Sequence, residues 1–143
     1  MTSNEYPTLM HRWFEEVWNQ GRTETIDELL TDSTIHHGLS ETGEDLIGIA
    51  PFKNFHSEFL SAFSDLHVEV KDVKVDGEKY SAHFVVTGTQ TGDLRAIAAT
   101  GKKVRFDGGG VCEVRNGKCI EIWNEIDFGK MQYDLDPNTP NIP

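Results

Sequence analysis

The apolar residues of this chain change their period near residue 65, and that change constrains the fold more than any other feature. Before it they recur at spacings of three and four. Leu9, Met10, Trp13, Phe14, Val17 and Trp18 make one stripe, which predicts an amphipathic helix opened by Pro7 and ended by Gly21. Thr25 and Glu28 read as a capping box for a second, short helix that buries Ile26, Leu29 and Leu30. A third helix begins near Pro51, buries Phe52, Phe55, Phe59, Leu60 and Phe63, and ends at Ser64-Asp65. Beyond it the pattern alternates. Residues 66–75, 79–91, 102–115 and 118–128 are rich in Val, Ile, Thr and aromatics, with breaks at Asp76-Gly77, Gly92-Asp93 and Asn116-Gly117. Residues 31–37 read as a short extended piece and 38–48 as a polar loop. Helices before a meander of strands define an α+β fold, a curved antiparallel sheet closed on one face by three N-terminal helices. One domain is expected over residues 1–143, its core at 8–135, with a loose Pro-rich tail at 136–143.

Charge narrows the function. Thirteen basic residues against 24 acidic ones leave a formal charge of −11, which repels phosphate backbones and anionic lipid surfaces. No nucleic-acid or membrane partner is expected. No apolar run approaches the roughly 18 residues of a membrane span, and the opening MTSNEYPTL has no signal-peptide pattern, so a cytoplasmic location is expected. The two cysteines, Cys112 and Cys119, are too few for a disulfide framework and lack partners at metal-ligand spacing. They read as reduced thiols, with neither metal nor cofactor expected.

The facing of the last two strands points to a site. In 118–128 the even positions Ile120, Ile122 and Ile126 are apolar, and Asn124 is the one polar side chain among them. In 102–115 the matching set is Val104, Phe106, Cys112 and Val114, which puts Gly108 and Gly110 on the same face. A plain two-residue turn at Asn116-Gly117 would mix the faces. A three-residue loop, Arg115-Asn116-Gly117 with Gly117 in a bulge, keeps them apart. That register opposes Gly108 to Asn124 and Gly110 to Ile122, and it turns Cys112 and Cys119 to opposite faces. A buried amide without partners costs about 1–3 kcal/mol. Asn124 therefore meets either a main-chain partner or the polar end of a pocket.

The stretch 100–131, TGKKVRFDGGGVCEVRNGKCIEIWNEIDFGKM, resembles the C-terminal signature of the SnoaL-like polyketide cyclase family. The stretches 13–37, WFEEVWNQGRTETIDELLTDSTIHH, and 55–73, FHSEFLSAFSDLHVEVKDV, match the same family in order and spacing. The resemblance implies the nuclear transport factor 2 fold: a cone of curved sheet and three helices, a pocket inside, and a dimer through the sheet's outer face. The family's cyclases close a polyketide ring by an intramolecular aldol step, with an Asp on the last strand as acid/base and a His on the preceding strand assisting. Here those positions hold Asn124 and Gly110. An amide does not exchange a proton as a carboxylate does, so an altered or absent activity is implied.

Other residues could carry acid/base work. Asp127 sits at a strand end, where it can turn toward the cone mouth or serve as a cap. His36 and His37 are adjacent, so in an extended segment they point to opposite sides and only one can face the pocket. Trp13, Phe14, Trp18, Phe55, Phe59 and Phe63, with Phe106, Ile122, Gly108 and Gly110, would make that pocket wide and greasy, suited to a flat or hydrophobic ligand. These residues allow three readings. One is a lyase or isomerase working by proton transfer on a carbonyl compound. A second is a non-catalytic hydrophobic-ligand binder. The third, an epoxide-opening hydrolase, ranks lower because the strand arginines Arg105 and Arg115 have outward parity. On the outer face Trp123 stands among charges, the composition of an interface centre, and a two-fold dimer is expected there.

Overall fold

The structure, a computed structural model, describes residues 8–40 and 42–143; the helix-opening Pro7 lies outside them. A short helix α1 (Leu9–Arg12) is capped by the Thr8 side chain and runs without a break into a π-helical stretch, Trp13–Asn19. Gly21 comes next in the left-handed region (φ 69°), as a helix stop requires. Then come α2 (Thr23–Leu29), strand β1 (Leu30–His37), a two-residue strand β2 (Leu46–Ile47) inside the segment expected to be loop, and α3 (Ile49–Ala62). Strands β3 (His67–Asp76), β4 (Lys79–Thr89), β5 (Lys103–Arg115) and β6 (Lys118–Ile126) form the meander, and a fourth helix α4 (Phe128–Leu135) closes the chain.

Two expectations about the helices are corrected. Thr25 and Glu28 form no capping box, since α2 begins at Thr23 with Arg22 before it. The buried Thr25 hydroxyl donates instead to Glu16 at 2.7 Å, and the Arg12 guanidinium holds both Glu16 and Glu28. These contacts tie α2 to the first helix. The fourth helix was not expected, because residues 128–135 carry only a short apolar pattern. Asp127 starts it by accepting from the Lys130 amide at 3.0 Å, and buried Met131 and Leu135 anchor it. The tail 136–143 has no helix or strand, yet the Lys102 ammonium donates to the carbonyls of Asp136 and Thr139.

The six strands lie in the order β2-β1-β6-β5-β4-β3. All neighbours are antiparallel except β1 and β6, which run parallel. The first helix and α3 cover the inner face, where Val17, Ile26, Ala62, Phe63 and Val104 are almost wholly buried.

The β5–β6 hairpin differs from expectation in an instructive way. Asn116-Gly117 does make a two-residue turn, both residues having positive φ (54° and 76°), as a type I′ turn demands. The surplus residue sits in the strand instead. Glu113 pairs with Glu121 and Val114 with Cys119, leaving Ile120 unpaired as a bulge. The bulge keeps Ile122, Asn124 and Ile126 on the inner face, as the three-residue loop was expected to do. It changes the partners, however. Gly110, not Gly108, stands opposite Asn124, and Gly108 faces Ile126. It also turns Cys119 inward beside Cys112, their sulfurs 3.8 Å apart, where opposite faces were expected.

Candidate functional site

The helices and the inner face of the sheet enclose a cavity of about 80 Å³. Of the residues expected to line it, Trp13, Phe14, Trp18, Phe55, Phe59, Phe106, Gly110 and Ile122 do so. The cavity is greasy but narrow, contrary to the wide pocket expected, because the aromatic rings pack on one another. Phe52 is the hub. Its ring centre lies 5.1 Å from Trp13, 5.1 Å from His36, and 6.1 Å from both Trp18 and Phe55. Among the described residues, no ionised carboxylate, lysine or arginine lines the space. The strand arginines Arg105 and Arg115, on which the hydrolase reading turned, are not among the lining residues.

Phe63 and Gly108 are not part of the cavity wall. Phe63 is 1% exposed and stacks behind Phe59. A Cβ at Gly108 would meet the Phe84 ring at 2.5 Å, so that ring occupies the space the glycine was expected to open. A Cβ at Gly110 would meet nothing closer than 3.6 Å. Phe84 and Val86, both cavity-lining, could have been found from the even parity of β4, and Phe52 from its place in the α3 stripe. Leu39 and Phe128, in a loop and at a helix start, leave no periodic signal.

The two histidines of β1 diverge as the pleat requires. His36 faces inward, fully buried, and stacks on Phe52 with an interplanar angle of 19°. Its Nε2–H donates to the Gly48 carbonyl at 3.1 Å. That bond fixes the tautomer and leaves Nδ1 as a bare acceptor, and Nδ1 is buried with no partner among the described residues. Burial lowers the pKa of His36, against the Gly48 bond that raises it, so the ring is neutral at pH 7. His37 faces outward. Its nitrogens contact Glu121 at 2.6 Å and Asp45 at 2.7 Å, and its ring stacks on Trp123. Glu121 first, then Asp45, raise its pKa, opposed by partial burial.

Asn124 meets both of its expected fates. Its Nδ2 donates to the His37 carbonyl at 2.9 Å, so it is a structural amide, and it also lines the cavity opposite Gly110. Asp127 does not look into the cavity. It is exposed and commits its carboxylate to the start of α4. His56, 2% exposed, donates to the Val17 carbonyl of the π-helical stretch at 2.6 Å. Among the described residues, no group of three His, Cys, Asp or Glu could hold a metal ion.

A curved, unclosed sheet with helices over a lined interior defines the class, an α+β cone of the nuclear transport factor 2 type. The family model for SnoaL-like polyketide cyclases matches residues 8–135, and the chain belongs to that family. Among solved structures, a candidate SnoaL-like polyketide cyclase from Jannaschia sp. CCS1 is similar with a TM-score of 0.80 and 22% identity, covering 90% of this chain and 89% of that one. TsrD from Streptomyces laurentii gives 0.77 at 22% identity over 89% and 91% of the two chains. IdmH from Streptomyces antibioticus, a candidate polyketide cyclase, gives 0.73 at 22% over 86% and 92%. At these identities the likeness establishes the fold. No curated protein matches the chain.

Proposed function

We propose that the cavity binds a small, apolar carbonyl compound and that His36 acts there as the general base. The observation that carries this reading is the buried Nδ1 of His36, without a partner among the described residues, a neutral acceptor on a wall otherwise almost wholly apolar. The family's carboxylate position is the amide Asn124, so proton abstraction next to a carbonyl falls to the imidazole. His36 is suited to it because its tautomer is set by Gly48 and its stacking on Phe52 holds the ring in place. A positioned base contributes about 10²–10⁴-fold. Asn124 supplies a second polar contact, since only one of its two amide hydrogens is committed to His37.

The second reading is a binder without catalysis, favoured by the lack, among the described residues, of any ionised side chain to balance an enolate. Deuterium exchange at the α-carbon of a small aryl ketone, monitored by NMR, separates the two. Exchange that falls about 10²-fold or more in His36→Gln, with ketone binding retained, supports the base. Binding without any catalysed exchange in the wild type supports the binder. Exchange undiminished in His36→Gln removes His36 from the chemistry.

A further inference from the structure

The cavity has a second kind of wall. Met10 from α1, Cys112 from β5 and Cys119 from β6 all line it, and they are 5%, 1% and 2% exposed. The Cys119 thiol donates to Cys112 Sγ at 3.8 Å, and the Cys112 thiol to Met10 Sδ at 3.8 Å. Among the described residues the hydrogen bonds of these three sulfurs run among themselves, with no oxygen or nitrogen partner. Three sulfurs from three different elements, linked in a chain through Cys112, make a candidate donor set. It escapes a search of the sequence because one donor is a thioether and because the bulge at Ile120 is what turns Cys119 inward.

A direct disulfide is the poorer use of this pair. Cys112 is in register with Ile122, and Cys119 with Val114, so the cysteines are diagonal rather than opposed. Diagonal neighbours lie about 7–8 Å apart, beyond the ~4.4–6.8 Å between Cα atoms that a disulfide spans. An ion between the sulfurs leaves them at their present separation. At the centre of a triangle with that edge, it would sit about 2.2 Å from each corner, close to the ~2.3 Å of a metal–thiolate bond. The third edge, Met10 to Cys119, has to reach the same length for the ion to be three-coordinate, a movement that the three rotatable bonds of the unbranched Met10 side chain allow.

We propose that Met10, Cys112 and Cys119 form a three-sulfur site for a soft monovalent ion, Cu(I). Thiolate and thioether donors select Cu(I), whereas a structural zinc site takes four ligands and a hard ion wants the oxygen donors that these sulfurs lack. With both cysteines as thiolates, the monovalent ion leaves a net charge of −1 at the site, half that of the two bare thiolates. Binding changes no oxidation state. The ion enters as Cu(I), and each thiol that becomes a ligand gives its proton to solvent. Because a thiol must lose its proton to become a ligand, affinity rises with pH.

The test is an anaerobic competition for Cu(I) between the reduced protein and a chromogenic Cu(I) chelator. One equivalent should pass to the protein, with near-ultraviolet thiolate-to-copper absorption, and more tightly at pH 8 than at pH 6. Met10→Leu keeps the core volume and should weaken uptake about tenfold or more, the scale on which metal-site substitutions act. The double variant Cys112→Ser, Cys119→Ser should take none. Should that variant fail to fold by circular dichroism, Met10→Leu decides alone. No transfer to the wild type, equal affinity in Met10→Leu, or loss of both thiols with no bound copper each overturns the proposal.

Discussion

His36 and His37 are neighbours in one strand, yet the two faces of β1 treat them oppositely. The inner face strips His36 of water and leaves one nitrogen unpaired among the described residues. The outer face sets His37 between two carboxylates and against Trp123, over which the Lys79 ammonium lies 5.1 Å from the ring centre. Burial pushes one ring below the ordinary 6.5, while Glu121 and then Asp45 push the other above it. The alternation of a strand thus places two opposite electrostatic environments one residue apart, and the proposed general base lies on the side where a polar atom has no partner among the described residues.

The contrast depends on the aromatic packing inside, and Phe52→Ala attacks it most severely. That ring contacts Trp13, Trp18, Phe55 and His36. Its loss should cost about 3–5 kcal/mol in a denaturant melt and should enlarge the cavity enough for a small arene to bind and raise Tm again. An unchanged melt would show that the inner face does not rest on this hub.

Asn124→Asp is next in size. Because the amide donates to the His37 carbonyl, a carboxylate in its place faces an acceptor. The loss should be about 2 kcal/mol at pH 8. It should shrink toward pH 5, where a protonated acid can donate again. Melts at both pH values read it, and equal stability of the two proteins at pH 8 would mean that the bond to His37 contributes nothing.

The smallest effect sharpens the comparison by sign. The folded pKa of His37 lies above 6.5, so its partners stabilise the fold fully below that pH and progressively less as pH rises through the folded value. The folded pKa of His36 lies below 6.5, so its burial penalises the fold as pH drops below 6.5 toward that value. His37→Gln should therefore lower Tm more at pH 6 than at pH 9, by no more than about 1 kcal/mol for a partly exposed pair. His36→Gln should lower Tm less at pH 5 than at pH 8. Differences of the same sign in the two variants would erase the contrast.

The period change near residue 65 was enough to read the α+β class and the four long strands, because hydrophobic periodicity is a property of local sequence. The inward facing of Val104, Phe106 and Cys112 on β5 and of Ile122, Asn124 and Ile126 on β6 was legible for the same reason, as was the opposition of His36 to His37. Ile120, however, was expected inside where Cys119 is found. The hairpin register was not legible. Parity says that one surplus residue exists but not whether the turn or the strand absorbs it, and Asn116-Gly117 suits a tight turn so well that Ile120 takes up the excess. Gly108 was misread because parity gives a direction and not a neighbour, and the Phe84 ring already occupies that space. The partner of Asn124 lies on β1, 87 residues away, and no local pattern reports such a contact.

The bulge has a consequence for chain length. In an ordinary pleated strand, adding or deleting a residue exchanges its two faces from that point on. In β6 the unpaired Ile120 lies between the pairs Cys119–Val114 and Glu121–Glu113, which already face as they would in a regular hairpin. Deleting it would join two correctly facing halves and move no side chain from one face to the other. The strand thus carries a local slack of one residue, a point at which length can drift while Asn124 and Ile122 keep their orientation.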